Sequence, residues 1–218
     1  MSHGRFLTLL AVLLTIQFVA LGLRPIDRHD WLLENALVLA FVLLLALTYK
    51  KFKLSRISYF LIFVFLSLHE IGSHYTYSLV PYDRWFEALS GRTLNGVLGW
   101  QRNNFDRVVH FSYGLLLAYP IREILLRVAN VRGFWGYFLP LDLTMSTSMI
   151  YELVEWAAAE LLGGDLGAAY LGTQGDGWDA HKDMALASLG AIVTMLITAA
   201  MNSRLQRDFA QEWIDSLR

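Results

Sequence analysis

From Phe6 to Leu23 the sequence reads "FLTLLAVLLTIQFVALGL", eighteen residues without a charge. Similar blocks recur along the chain. A helix of about 20 apolar residues spans the hydrocarbon core of a bilayer. The blocks are continuous, unlike the apolar stripes that helices of a soluble bundle show. Composition agrees: 56% of residues are hydrophobic and 17% charged, against roughly 25% charged in soluble domains. One soluble core in a chain of 218 residues could not hide that surface. The reading is an all-α, polytopic membrane helix bundle.

Six helices are expected, at about 6–23, 31–49, 57–77, 107–126, 134–160 and 181–201, within a single membrane domain covering 1–218. No internal repeat or low-complexity segment breaks it. The first apolar block could pass for a signal peptide. No small-x-small cleavage site follows it and further spans do, so it is read as an uncleaved first helix. Six spans place both termini on one side. By count, eleven Lys and Arg fall on that side (Arg5, Lys50, Lys51, Lys53, Arg56, Arg122, Arg127, Arg132, Arg204, Arg207, Arg218) and seven on the other. The positive-inside bias puts both termini in the cytoplasm. A formal net charge of −1 gives no electrostatic case for nucleic acid. The lack of cysteine removes thiolate chemistry and disulfides.

The polar residues gather at helix ends. "SLHEIGSHYTY" ends the third helix with His69, Glu70 and His74. "NNFDRVVHFSYG" opens the fourth with Asp106 and His110. "MIYELVEW" ends the fifth with Glu152 and Glu155. "GTQGDGWDAHKDM" precedes and opens the sixth with Asp176, Asp179, His181 and Asp183. Span counting puts all four clusters at one, non-cytoplasmic face. Residues three or four apart share a helix face. Glu70–His74, Asp106–His110, Glu152–Glu155 and Asp179–Asp183 are such pairs. The fifth helix continues its stripe through Thr144 and Ser148. The sixth continues through Ala187, Gly190 and Thr194, small enough for close helix approach.

Seven carboxylates in those clusters cannot all stay ionised side by side without cations. A divalent metal is the economical answer. Carboxylate and imidazole without sulfur suit Zn, Mn, Fe or Ni. The expected ligands are Glu70, His74, Asp106, His110, Glu152, Asp179 and Asp183. Glu155 is the candidate general base, and His69, Asp176, His181 and Glu34 are expected to line the site. The layout resembles di-iron bundles, although the spacing here is Glu-x-x-x-His. "HEIGSH" is one residue too long for a zincin, and His69 is expected to point away from His74.

Each feature also has a plainer reading. Glu70 and His74 can end a helix at headgroup level. Asp106 can cap a helix. Glu152 and Glu155 can pair with Arg84, Arg102 or Arg107. Gly172, Gly175 and Gly177 can be ordinary turns. Asp142 is a relay or a buried cross-helix residue. His29 and Asp30 are read as loop surface, and Arg122, Glu123 and Arg127 as the cytoplasmic edge.

"RPIDRHDWLLEN", "LHEIGSHYTYSLVPYD", "RNNFDRVVHFSYG", "YELVEW" and "GTQGDGWDAHKDM" together resemble the YjdF-type inner-membrane proteins of bacteria, from about Arg24 to Gly190. The resemblance implies a multi-pass protein of the bacterial inner membrane and no particular reaction. The function expected from the residues is a metal-dependent membrane hydrolase acting on a lipid or lipid-linked substrate. A small-solute or ion transporter and a non-catalytic membrane partner are the alternatives. The hydrolase motifs P-S-G-H, G-x-S-x-G and H-E-x-x-H are missing.

Overall fold

The computed structural model describes residues 1–164, 167, 171 and 173–217. Gly172 of the glycine-rich loop and Arg218 of the charge count lie outside them. Among the described residues there is no strand. The helices are α1 (His3–Gly22), α2 (Arg28–Thr48), α3 (Arg56–His74), α4 (Tyr82–Ser90), α5 (Leu94–Leu98), α6 (Phe105–Val128), α7 (Trp135–Leu162), α8 (Asp179–Leu205) and α9 (Phe209–Asp215). Ser2, Asp27 and Ser55 start α1, α2 and α3 by accepting hydrogen bonds from first-turn N–H groups, which otherwise have no partner in the helix.

Among the described residues four helices, α1, α2, α3 and α8, are long and apolar enough to cross a membrane. The exposed surface fits that setting. Val12, Ile16 and Val19 of α1, Leu39 and Leu43 of α2, and Leu196 and Ile197 of α8 all face outward. Ser58, Ser73, Thr144, Ser148 and Thr194 face inward. Apolar outside and polar inside is the arrangement expected when lipid, not water, is the solvent. The more polar α6 and α7 pack against α8 and against each other.

The closest helix pair is α6 with α8. A Cβ at Gly114 would overlap the Ala187 carbonyl, and one at Gly190 would overlap the Phe111 carbonyl. Only glycine permits this backbone approach. Both helices run in the same direction, from the α5 end of the bundle toward the chain termini. Gly114 sits between Ala187 and Ala191, so eight residues earlier Asp106 comes level with Asp179 and Asp183.

The opposite end is tied by side chains that reach across sequence. Arg122 grips Asp208 with both terminal nitrogens, at 2.9 and 2.5 Å, and donates to the Gly136 carbonyl. Burial alone would raise Asp208, but these Arg122 bonds hold its carboxyl below the usual value. Arg127 donates to the Lys51 and Lys53 carbonyls. Arg56 donates to the Met1 carbonyl, and Trp213 to that of Lys53. Both ends of the chain therefore meet the α2–α3 connection at this end.

Candidate functional site

The α6–α8 register builds the first half of the site. Asp106, Asp179 and Asp183 bring ligand atoms within 4.8 Å of one another. One turn deeper, α7 contributes from its inward stripe of Thr144, Ser148 and Glu152. His110, Glu152 and Asp183 form a second such group, again within 4.8 Å. Asp183 belongs to both.

The two tiers differ in how their charge is balanced. In the outer tier Arg102 pairs with Asp106 and, at 2.6 Å, with Asp179, and it also donates to the Thr173 carbonyl. Arg107 reaches Asp176 at 2.5 Å and Asp179 at 3.4 Å, and Lys182 completes the set on Asp176. Hydrogen bonds from Lys182, the Trp178 N–H and Arg107 hold the Asp176 carboxyl down at about 2. These pairs join the α5–α6 connection to the loop before α8.

In the inner tier, no lysine or arginine pairs with Glu34, Glu152, Glu155 or Asp183 among the described residues. Glu152 Oε1 and Asp183 Oδ1 are buried without a hydrogen-bond partner. His110 Nδ1 stands 3.6 Å from Glu152 Oε1, too far for a hydrogen bond. Buried polar atoms in folded proteins are nearly always paired, so two carboxylate oxygens without partners beside one imidazole set this tier apart from the outer one.

A chamber of about 370 Å³ opens onto this tier. Asp30 and Glu34 of α2, His69 of α3, Asp106 and His110 of α6, Tyr151, Glu152 and Glu155 of α7, and Asp179 and Asp183 of α8 line its polar end. Tyr151 Oη donates to Glu34 Oε2 at 3.3 Å, linking α7 to α2. His69 is positioned by the turn after α3. Thr76 and Tyr77 adopt left-handed backbone with φ of 50° and 51°. The Tyr77 N–H caps α3 on the Gly72 carbonyl at 2.8 Å. Tyr77 then folds back over Gly72, where any Cβ would strike its ring, and its Oη lies 2.6 Å from His69 Nδ1.

Of the residues expected from sequence, Asp106, His110, Glu152, Asp179 and Asp183 come together, and Glu155, Glu34 and His69 line the same chamber. The third-helix reading is corrected. His69 continues the chamber-facing stripe of Ile62, Phe65 and Leu66, whereas Glu70 and His74 lie about 100° and about 140° further round the helix. His74 Nδ1 meets the Leu21 carbonyl at 2.7 Å. Glu70 is buried outside the chamber lining. Asp176 is engaged with Arg107 and Lys182 in the loop. His181 is exposed, edge-on to Trp178. Asp30 is not loop surface but 3% exposed, because Asp27 starts α2 before it. Asp142 is exposed on α7. Tyr77 and Tyr151 line the chamber in addition to the residues expected from sequence. Tyr151 shares a helix face with Ser148 and Glu155, a signal that was available; Tyr77 reaches the site through a backbone turn that no periodicity predicts.

A chain whose described residues form helices and no strand, apolar outside and polar within, with four of those helices fit to cross a membrane, is an integral membrane protein. It belongs to the family described as "Predicted membrane protein (DUF2238)", matched over residues 6–204. It is similar to "Inner membrane protein YjdF" of Escherichia coli (strain K12), 37% identical over 201 residues, covering 91% of each chain. No solved structure matches.

Proposed function

We propose that this chain is a metal-dependent enzyme of the bacterial inner membrane, with its site at the periplasmic face and a lipid or lipid-linked substrate. Six helices cross in this reading. The two added to the apolar four are α6 and α7, 24 and 28 residues long, with Ser112, Thr144, Ser148 and Glu152 turned inward. The lysine and arginine bias places both termini in the cytoplasm, and the relative's inner-membrane name supports the location.

The observation that carries the reading is the bare triad: Glu152 Oε1 and Asp183 Oδ1 buried without partners beside His110. One imidazole and two carboxylates suit Zn, Mn or Fe(II). Three protein ligands leave coordination positions open, as catalytic sites do. A divalent ion held there would supply Lewis-acid charge to an ester or phosphoester oxygen. Glu155, one turn from Glu152 on α7, is placed to accept a proton from an attacking water. His69, held by Tyr77, and Glu34, held by Tyr151, orient the head of the substrate. The carrier reading draws less support, because transporters hold their sites near the midplane on broken helices. Here the acids gather where α6 and α8 begin.

Elemental analysis of purified protein tests this reading. The wild type is expected to carry stoichiometric metal, and His110→Ala, Glu152→Ala and Asp183→Ala to lose it while remaining folded. Folded wild type that binds no divalent metal would overturn it. Thiol labelling of a cysteine introduced at Leu89, in the α3–α6 connection, checks the topology. Labelling from the periplasm is expected; access from the cytoplasm alone would reverse it.

A further inference from the structure

The chamber does not end at its polar tier. Below His110 it continues as a shaft along α6 past Tyr113, Leu117, Pro120, Ile121 and Ile124. These positions recur at helical spacing and form one face. Leu37, Val38, Phe41 and Leu45 of α2 face them, and Ile62, Phe65 and Leu66 of α3 form the back wall. The polar groups within the shaft are spent on each other: Tyr113 Oη lies 2.6 Å from Thr147 Oγ1. The wall is therefore apolar from Tyr113 down to Leu54 and Ile124.

The length is informative. From Tyr113 to Ile124 a helix rises about 17 Å. One leaflet of a bilayer holds chains of about 15 Å, half of the roughly 30 Å hydrocarbon core. The shaft is not closed all round. α2 packs chiefly against α3. The Glu34–Tyr151 bond joins α2 to α7 at the polar level, and among the described residues no hydrogen bond joins them below it. A void of this kind facing lipid would fill with hydrocarbon rather than stand empty.

We propose that the shaft receives one hydrocarbon chain of a bilayer lipid, admitted sideways between α2 and α7, so that the lipid's head is delivered to His110, Glu152 and Asp183. The substrate class that follows is an amphiphile held by one chain, with the bond to be broken at the head end. The head-end part of this inference rests on the enzyme reading above; occupancy of the shaft does not.

The test uses the full chain in phospholipid nanodiscs doped with a phosphatidylethanolamine carrying a diazirine at the end of one palmitoyl chain, and a second probe with the diazirine beside the carbonyl. After irradiation, mass spectrometry maps the adducts. The chain-end probe is expected to label Leu117–Ile124 and Leu45, and the carbonyl probe Val109–Tyr113. Leu117→Trp and Val38→Phe narrow the shaft and should each cut chain-end labelling there by roughly tenfold, while Leu196→Trp, on the outer face of α8, should leave it unchanged. Adducts confined to outward residues such as Val12, Ile16 and Leu196, or unchanged shaft labelling in both narrowed variants, would overturn the proposal. Repeating the experiment after chelation separates the two claims. Shaft labelling in protein that never binds metal keeps the shaft and sinks the metal enzyme; stoichiometric metal with an unlabelled shaft does the reverse.

Discussion

Glu123 and Glu70 are both 1% exposed, yet they stand at opposite ends of the bundle in opposite circumstances. Glu123 accepts from the Ser55 N–H at 2.7 Å, from Ser55 Oγ at 2.7 Å and from Ser58 Oγ at 2.5 Å. Neither carboxylate oxygen of Glu70 has a partner, and the same holds for one oxygen each of Glu152 and Asp183. Burying a charge is costly unless it is paired and hydrogen-bonded. The end near the chain termini meets that cost with three donors on one acid and with Arg122 on Asp208. The other end pairs its acids with cations in the outer tier, where Arg102, Arg107 and Lys182 neutralise Asp106, Asp176 and Asp179, and in the inner tier gives Glu34 the Tyr151 hydroxyl instead of a cation. A satisfied carboxylate holds a fold; a bare one beside a chamber is the natural candidate for a site.

The contrast depends first on the helix pair that sets the register. Gly114→Leu forces α6 away from α8 and is expected to cost about 3 kcal/mol or more by overpacking, enough to lose folded protein in size-exclusion chromatography. If folded yield is unchanged, the register argument fails. Next, Glu123→Ala strips the acceptor from Ser55 and Ser58 and should cost about 2–4 kcal/mol in detergent unfolding. Asp183→Asn in metal-free protein should change stability by less than about 1 kcal/mol, or raise it, since it removes a like charge. Equal losses in the two variants would erase the distinction between the ends.

Smaller effects sharpen it. Tyr77→Phe removes the contact to His69 Nδ1 and leaves the ring over Gly72. It should cost about 1 kcal/mol and lower activity on a lipid ester more than it lowers metal content; proportional loss of both would make Tyr77 merely structural. The smallest effect concerns Asp208. Its folded carboxyl lies below the ordinary 3.8, so its contribution is fully present above about pH 4 and is lost as pH falls through the lowered folded value. Acid unfolding of Asp208→Asn should be flatter than wild type in that window, as followed by circular dichroism.

Much of this architecture was legible in the sequence, because apolar blocks and i, i+4 pairs are local. The six long helices fall within a few residues of the blocks, and the α6–α8 acids come together at one end of the bundle. What was not legible depended on distance or direction. Glu123 reads as a surface acid until Ser55 and Ser58, more than 60 residues away, close on it. "HEIGSH" offers three ligand-type side chains, and only the helix's rotation against α2 and α6 shows that His69 faces the chamber. Arg102 and Arg107 read as neighbours of any acid; the structure assigns them to the outer tier, which leaves the inner one bare. The short α4, α5 and α9 carry no long apolar block, so the pattern that found the others passed over them.

The central claim is that the bare acids beside His110 bind a divalent cation. A ligand that binds only the folded state stabilises it by about 2.7 kcal/mol at a hundredfold excess over its Kd. Thermal unfolding of chelator-treated protein, titrated with Mn²⁺ and with Zn²⁺, tests this in wild type and Asp183→Asn together. A saturable rise in Tm in wild type, absent in Asp183→Asn, is the predicted result. No rise in wild type with either ion, or the same rise in both proteins, would contradict it.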